Sequence, residues 1–171
     1  TYRVDSHYAI GATYVTDLGD TAVTIGAGLS AADGSKTGAT AISNDPGGVH
    51  VGLSAVTGDL TVAVGFADGD STAGDTVANE VAGDVVKVGV KYVTGDLTFN
   101  VGLTTGESQD GVLGTPGTTT DSQDVTDASV SYAVASGVTA ILGYTDVDSS
   151  DEGANDTTDG SAWYIGANMS F

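Results

Sequence analysis

Lys87 and Lys91 stand four residues apart in a chain that has only 4 Lys and Arg against 23 Asp and Glu. On an extended strand this spacing puts both ammonium groups on one face, roughly 13 Å apart along the strand. Two cations fixed on the wall of a water-filled pore would set a transverse field and tune ion selectivity. Arg3, His7 and His50 fall on the same polar phase, provided that Arg3 continues the alternation of the strand behind it. The plainer alternative is a pair of solvated lysines on an exposed sheet face, where lysine also guards against edge pairing. Asp68, Asp70 and Asp75 could supply oxygen ligands to calcium, although the twelve-residue EF-hand pattern is absent and solvated acidic loops are the plainer explanation. There is no Gly-x-Ser-x-Gly elbow and no cysteine, and neither His has a paired-carboxylate context, so no catalysis is expected.

The elements that position these groups are strands. Of the 171 residues, 26 are Gly and 2 are Pro, and Ala, Val, Thr and Asp dominate, which favours strands and turns over helices. A net charge of −19 argues against nucleic acid as a partner, because phosphate binding needs clustered Lys and Arg. No run of about 18 apolar residues occurs, which excludes a transmembrane helix but not a barrel, whose strands alternate. The first residue is Thr1, with neither an initiator Met nor a signal sequence, so a mature product or a fragment is expected.

Read for alternation, the chain resolves into about nine strands, each near the 9 to 11 residues that a tilted strand needs to cross a bilayer. They pair as 6–16 with 21–31, 48–57 with 60–67, 84–94 with 97–105, and 126–135 with 138–146, and 161–171 stands alone. Tight turns are predicted at Asp17 to Asp20, Gly58-Asp59, Gly95-Asp96 and Ser136-Gly137. Long acidic connections separate the pairs with a period near forty residues, and Val-Thr-Gly-Asp-Leu-Thr occurs at both 56–61 and 93–98. Short turns at one end and long loops at the other suit an up-and-down barrel with no internal domain boundary from 1 to 171.

The two phases of each strand differ in kind. One is apolar throughout, as in Val62, Val64 and Phe66 or Val86, Val88 and Val90; the other is mostly Gly, Ser and Thr. A soluble sandwich would carry Lys and Glu on its exposed strand faces, and these strands carry almost none. The apolar phase is therefore expected to meet lipid and the small polar phase to meet a lumen. Its aromatic residues sort by height into an interfacial girdle, with Tyr8, Phe66, Tyr144 and Trp163 near the long loops and Tyr14, Tyr92, Phe99, Tyr132 and Phe171 near the short turns.

The last strand carries the most specific signal. Trp163, Ile165, Ala167, Met169 and Phe171 alternate with small or polar residues, and the segment stops on the phenylalanine. It resembles the closing strand of bacterial outer-membrane barrels, and those five positions are similar to the signal that the barrel-assembly machinery reads. The whole chain resembles the trimeric general diffusion porins of Gram-negative outer membranes, of the Gly- and Asp-rich alphaproteobacterial type. The resemblance implies an all-β antiparallel up-and-down transmembrane β-barrel of sixteen strands, of which this chain would hold the last nine, the C-terminal half. It implies a non-enzymatic, water-filled channel for passive diffusion of small hydrophilic solutes and ions, in contact with outer-membrane lipid and lipopolysaccharide. It also implies a homotrimer and an N-terminal half that carries the constriction loop. No cofactor is required, and calcium is the one ion the acidic loops would take. The competing reading is a secreted acidic β-repeat surface protein or adhesin stabilised by calcium.

Overall fold

The computed structural model describes residues 2–36, 42–44, 46–72, 80–109, 120–150 and 157–170, and these form one antiparallel sheet. Its strands are β1 (Tyr2–Leu18), β2 (Thr21–Lys36), β3 (Ile42–Asn44), β4 (Gly47–Thr57), β5 (Leu60–Thr72), β6 (Glu80–Thr94), β7 (Leu97–Gln109), β8 (Thr120–Ala135), β9 (Val138–Ser150) and β10 (Thr157–Met169). Nine of them pair in chain order from β1 to β10, and β3 adds a short rung to β2. Among the described residues β1 pairs only with β2 and β10 only with β9, so the sheet is open at both edges. Because nine consecutive strands alternate in direction, β1 and β10 run the same way.

Four glycines make the short turns. Gly19, Gly58 and Gly95 take φ of 65°, 55° and 57°, each followed by an Asp at negative φ, the type II′ arrangement whose twist matches that of flanking strands. Ser136-Gly137 reverses the order, with the positive φ at the second residue, and the neighbouring ladder accommodates it by a bulge at Val134. The next strand captures the turns from β4 onward. Val93 N–H donates to the Asp59 carbonyl, Ala133 N–H to that of Asp96 and Ser170 N–H to that of Gly137, each at 2.9 Å.

These captures reflect a stagger. Direct pairing links Leu18 through Thr21, Thr57, Leu60, Tyr92, Phe99 and Val130 to Leu142. Leu18 abuts its turn, whereas Leu142 lies four residues beyond Val138, where β9 begins. A row perpendicular to the strands therefore climbs away from the turn end across the sheet, as tilted barrel strands require.

Apart from the three-residue β3, the strands run 11 to 17 residues, longer than the alternation predicts. Apart from Asp17 and Leu18, which β1 gains at its turn end, the extensions lie on the loop side, where Asp33, Asp68, Glu107, Asp124 and Asp148 stay in the ladder although the sequence reads as connection. Backbone pairing needs no apolar side chain, so the ladder outruns the apolar pattern. A bulge at Asp5 also corrects one expectation. Ser6 opposes Asp33 and Val4 opposes Gly34, so Arg3 comes opposite Ser35, one step out of the phase that His7 shares with Ala32. The condition on which Arg3 joined the other basic residues is not met.

The turns make a direct prediction. Gly95→Ala forces a side chain into positive φ and should destabilise the folded chain by about 1–2 kcal/mol. Gly166→Ala, at ordinary φ with nothing within 4 Å of the new methyl, should cost nothing measurable. Urea titration of both variants in detergent micelles checks the difference.

Candidate functional site

The sheet has no interior of the usual kind. Among the described residues only Val23 and Ala32 are buried apolar side chains, each 9% exposed, and no polar or charged side chain is buried. The large apolar residues stand out from one face instead, with Ile165 86% exposed and Trp163 73% exposed. Along β5, Leu60, Val62, Val64 and Phe66 are exposed, while Thr61, Ala63, Gly65 and Ala67 between them are half-buried. A soluble protein does not leave an apolar surface of this extent open, so the face fits a lipid environment.

The hollows of the sheet open mainly on the other, small-residue face. One of them, about 880 Å³, has Gly11, Gly26, Gly52 and Gly65 on its floor and His50 and Lys87 on its border. Cross-strand pairing places His7, His50, Lys87 and Lys91 all on this inner phase. Lys87 pairs with Gly65 and Thr104, and Lys91 with Thr61 and Asn100, so each lysine has small neighbours and its ammonium is exposed. His50 pairs with Gly28, and its ring lies across the space that a Cβ there would fill.

Two inner-face residues escape the alternation pattern. Tyr164 pairs with Gly143, and its phenol ring covers that glycine in the same way as His50 covers Gly28. An aromatic ring over a cross-strand glycine replaces the packing that the glycine lacks. Asp127 stands on the inner phase of β8 with Ser129 and Ser131 and pairs with Gly102. The shared phase with those serines is the signal that could have found it; the Tyr164 contact needs the register.

The outward aromatic side chains occupy two heights. Tyr14, Tyr92, Phe99 and Tyr132 lie within four residues of a short turn, and Tyr8, Phe66, Tyr144 and Trp163 lie six or more residues from one. Tyr144 and Trp163 pair directly with ring centroids 4.8 Å apart, and the Tyr144 hydroxyl donates to Asp146 Oδ2 at 2.7 Å. An apolar ring body with a polar tip suits the boundary between hydrocarbon and headgroups. Phe171 lies outside the described residues; Trp163, Ile165, Ala167 and Met169 share the outward phase of β10.

Beyond the apolar band the outward phase turns acidic. Asp68, Asp84 and Glu107 oppose one another across three strands, as do Asp124, Asp148 and Asp159. Asp70 follows Asp68 on that phase, and Asp75 lies outside the described residues, so the calcium trio is not seen whole. Among the described residues no group of three or more His, Asp or Glu is arranged to hold a metal ion.

No protein-family model matches the chain, and no curated protein matches it by sequence. Solved structures do resemble it. Over 95% of its length it is similar to an outer-membrane expressed OmpT of Vibrio cholerae, with a TM-score of 0.66 and 18% identity. Over 94% it is similar to an anion-selective porin from Comamonas acidovorans, with a TM-score of 0.58 and 11% identity. Over 97% it is similar to a BenF-like porin from Pseudomonas fluorescens Pf-5, with a TM-score of 0.56 and 14% identity. The chain spans 56%, 47% and 48% of those three chains, about half of each. At these identities the likeness is one of fold: an antiparallel up-and-down β-barrel wall, present here as nine strands that do not close among the described residues.

The two faces can be told apart by charge. Val88→Arg, in the middle of the apolar band, should destabilise the chain in a bilayer by about 2–4 kcal/mol. Ala63→Arg, nearby on the inner phase, should cost far less, and equal costs in a lipid-vesicle unfolding titration would contradict the assignment.

Proposed function

We propose that the chain forms part of the wall of a water-filled channel in the outer membrane of a Gram-negative bacterium, through which small hydrophilic solutes and ions pass by diffusion. One observation carries this reading: across nine strands most large apolar side chains face outward and stay exposed, while the inward phase is mostly small or polar and sparsely charged. Lipid takes up the first face, and water the second. A secreted acidic β-repeat protein would have to leave that apolar band in water, and nothing among the described residues covers it.

Lys87, Lys91, His7 and His50 line the lumen in this reading, and the protein acts as a conduit with no catalytic step. The open edges at β1 and β10 would be closed by further strands, because unpaired backbone groups cannot face hydrocarbon. Since β1 and β10 run in the same direction, antiparallel closure takes an odd number of additional strands, and seven would give a sixteen-stranded barrel. The outward aromatic tiers fit the two headgroup levels, and a homotrimer is the assembly that such barrels suggest. A trimer form of the Vibrio cholerae OmpT has been solved.

Two measurements test this. The protein should partition with membranes and require detergent for extraction; a monodisperse preparation in plain buffer would sink the channel reading. In planar bilayers under a salt gradient, replacing Lys87 and Lys91 by Glu in the complete gene product should move the reversal potential towards cation selectivity by several millivolts. An unchanged potential would remove both lysines from the lumen.

A further inference from the structure

The inner wall holds one place where opposite charges face each other without meeting. On β6 the inward residues are Lys87, Gly89 and Lys91; on β7 their partners are Thr104, Gly102 and Asn100; on β8 the next partners are Val125, Asp127 and Ser129. The middle row therefore runs Gly89, Gly102, Asp127, with no side chain until the carboxylate. Asp127 stands two strands from Gly89, about 10 Å across the sheet. Neither lysine forms an ion pair with it among the described residues. The glycine pair leaves a hollow of about 420 Å³, bounded by Lys91 on one side and Asp127 on the other. At its rim, Asn100 Nδ2 donates to Ser129 Oγ at 3.3 Å.

Resting on the channel reading, we infer that this hollow is a subsite for small zwitterions, compounds of the amino-acid class whose carboxylate and ammonium lie a few ångströms apart. The carboxylate end settles over Gly89, within reach of the Lys91 ammonium, and the ammonium end lies over Gly102 beside Asp127. Asn100 and Ser129 offer a polar rim between the two charges. Had the wall been built with ordinary side chains at 89 and 102, they would occupy the floor. Had Lys91 and Asp127 been direct partners, they would neutralise each other. The glycine row keeps the two charges apart and available, so a solute that carries both signs gains at both ends, whereas a simple ion gains at one and is repelled at the other.

The floor can be altered without strain. A Cβ on Gly102 meets nothing closer than 4.0 Å, and one on Gly89 meets only the Val101 carbonyl at 3.9 Å. Asp127→Asn keeps the shape of the side chain and removes its charge.

The test uses the complete gene product in planar bilayers, with γ-aminobutyrate as the zwitterion and butyrate and butylammonium as singly charged controls. γ-Aminobutyrate should reduce the ion current saturably, and more strongly than either control at equal concentration. Asp127→Asn and Lys91→Gln should each weaken that effect about two- to fivefold, the range for solvent-exposed charge pairs. Gly102→Leu, which fills the floor and keeps both charges, should abolish it. A linear, unsaturable response, or a response that Asp127→Asn leaves intact, would overturn the subsite while leaving the channel standing. Absence of any conductance would overturn the channel reading itself, and the subsite with it.

Discussion

Every backbone N–H and C=O that sits in hydrocarbon must find a partner within the protein, because no water is there to supply one. Between β1 and β10 the ladder of this sheet meets that demand without a break longer than a single-residue bulge, and among the described residues the outer edges of β1 and β10 stay open. The rest follows from it. With the backbone satisfied strand to strand, side chains are released from building a core, and the two faces can be given to two different solvents. Strand glycines such as Gly52, Gly65, Gly89 and Gly102, which would weaken a soluble sheet, are tolerated here because pairing on both sides holds their strands.

Much of this was legible in the sequence, for a physical reason. Strand phase is written by the contrast between the two faces, and that contrast is greatest where the exposed Val62, Val64 and Phe66 alternate with the half-buried Ala63 and Gly65. The Gly-Asp turns were legible because only glycine takes positive φ cheaply. What alternation could not mark were features that depend on backbone pairing alone. The strands run on through Asp68, Glu107 and Asp124, where the apolar signal ends but the ladder does not. The bulge at Asp5 turns Arg3 out of phase, and nothing in the residue types around it announces an extra residue. Lumen-side partnerships were hidden likewise. His50 over Gly28, Tyr164 over Gly143 and Asp127 beside Gly102 each join residues on neighbouring strands, so only the register brings them together.

The acidic rows illustrate how the same residue type can mean different things by height. Asp68, Asp84 and Glu107 stand directly opposite one another, an arrangement that costs stability on a sheet in water of low ionic strength. They lie past the apolar band, where salt and mobile counterions screen the repulsion. Asp127, by contrast, is a lone inner-face carboxylate beside glycine, with no like charge paired to it across the ladder.

A wall made so largely of glycine has a consequence for how such a protein can change. In the proposed channel, a solute passing Gly26, Gly52, Gly65, Gly89 and Gly102 would meet peptide dipoles, and these are the same whatever the gene encodes elsewhere. Bore and background polarity are thus fixed by strand number and tilt, which no point mutation alters. Discrimination between solutes falls to the few side chains that rise above this floor. Selection can therefore retune permeability one peg at a time, while the scaffold that holds the pegs is left untouched.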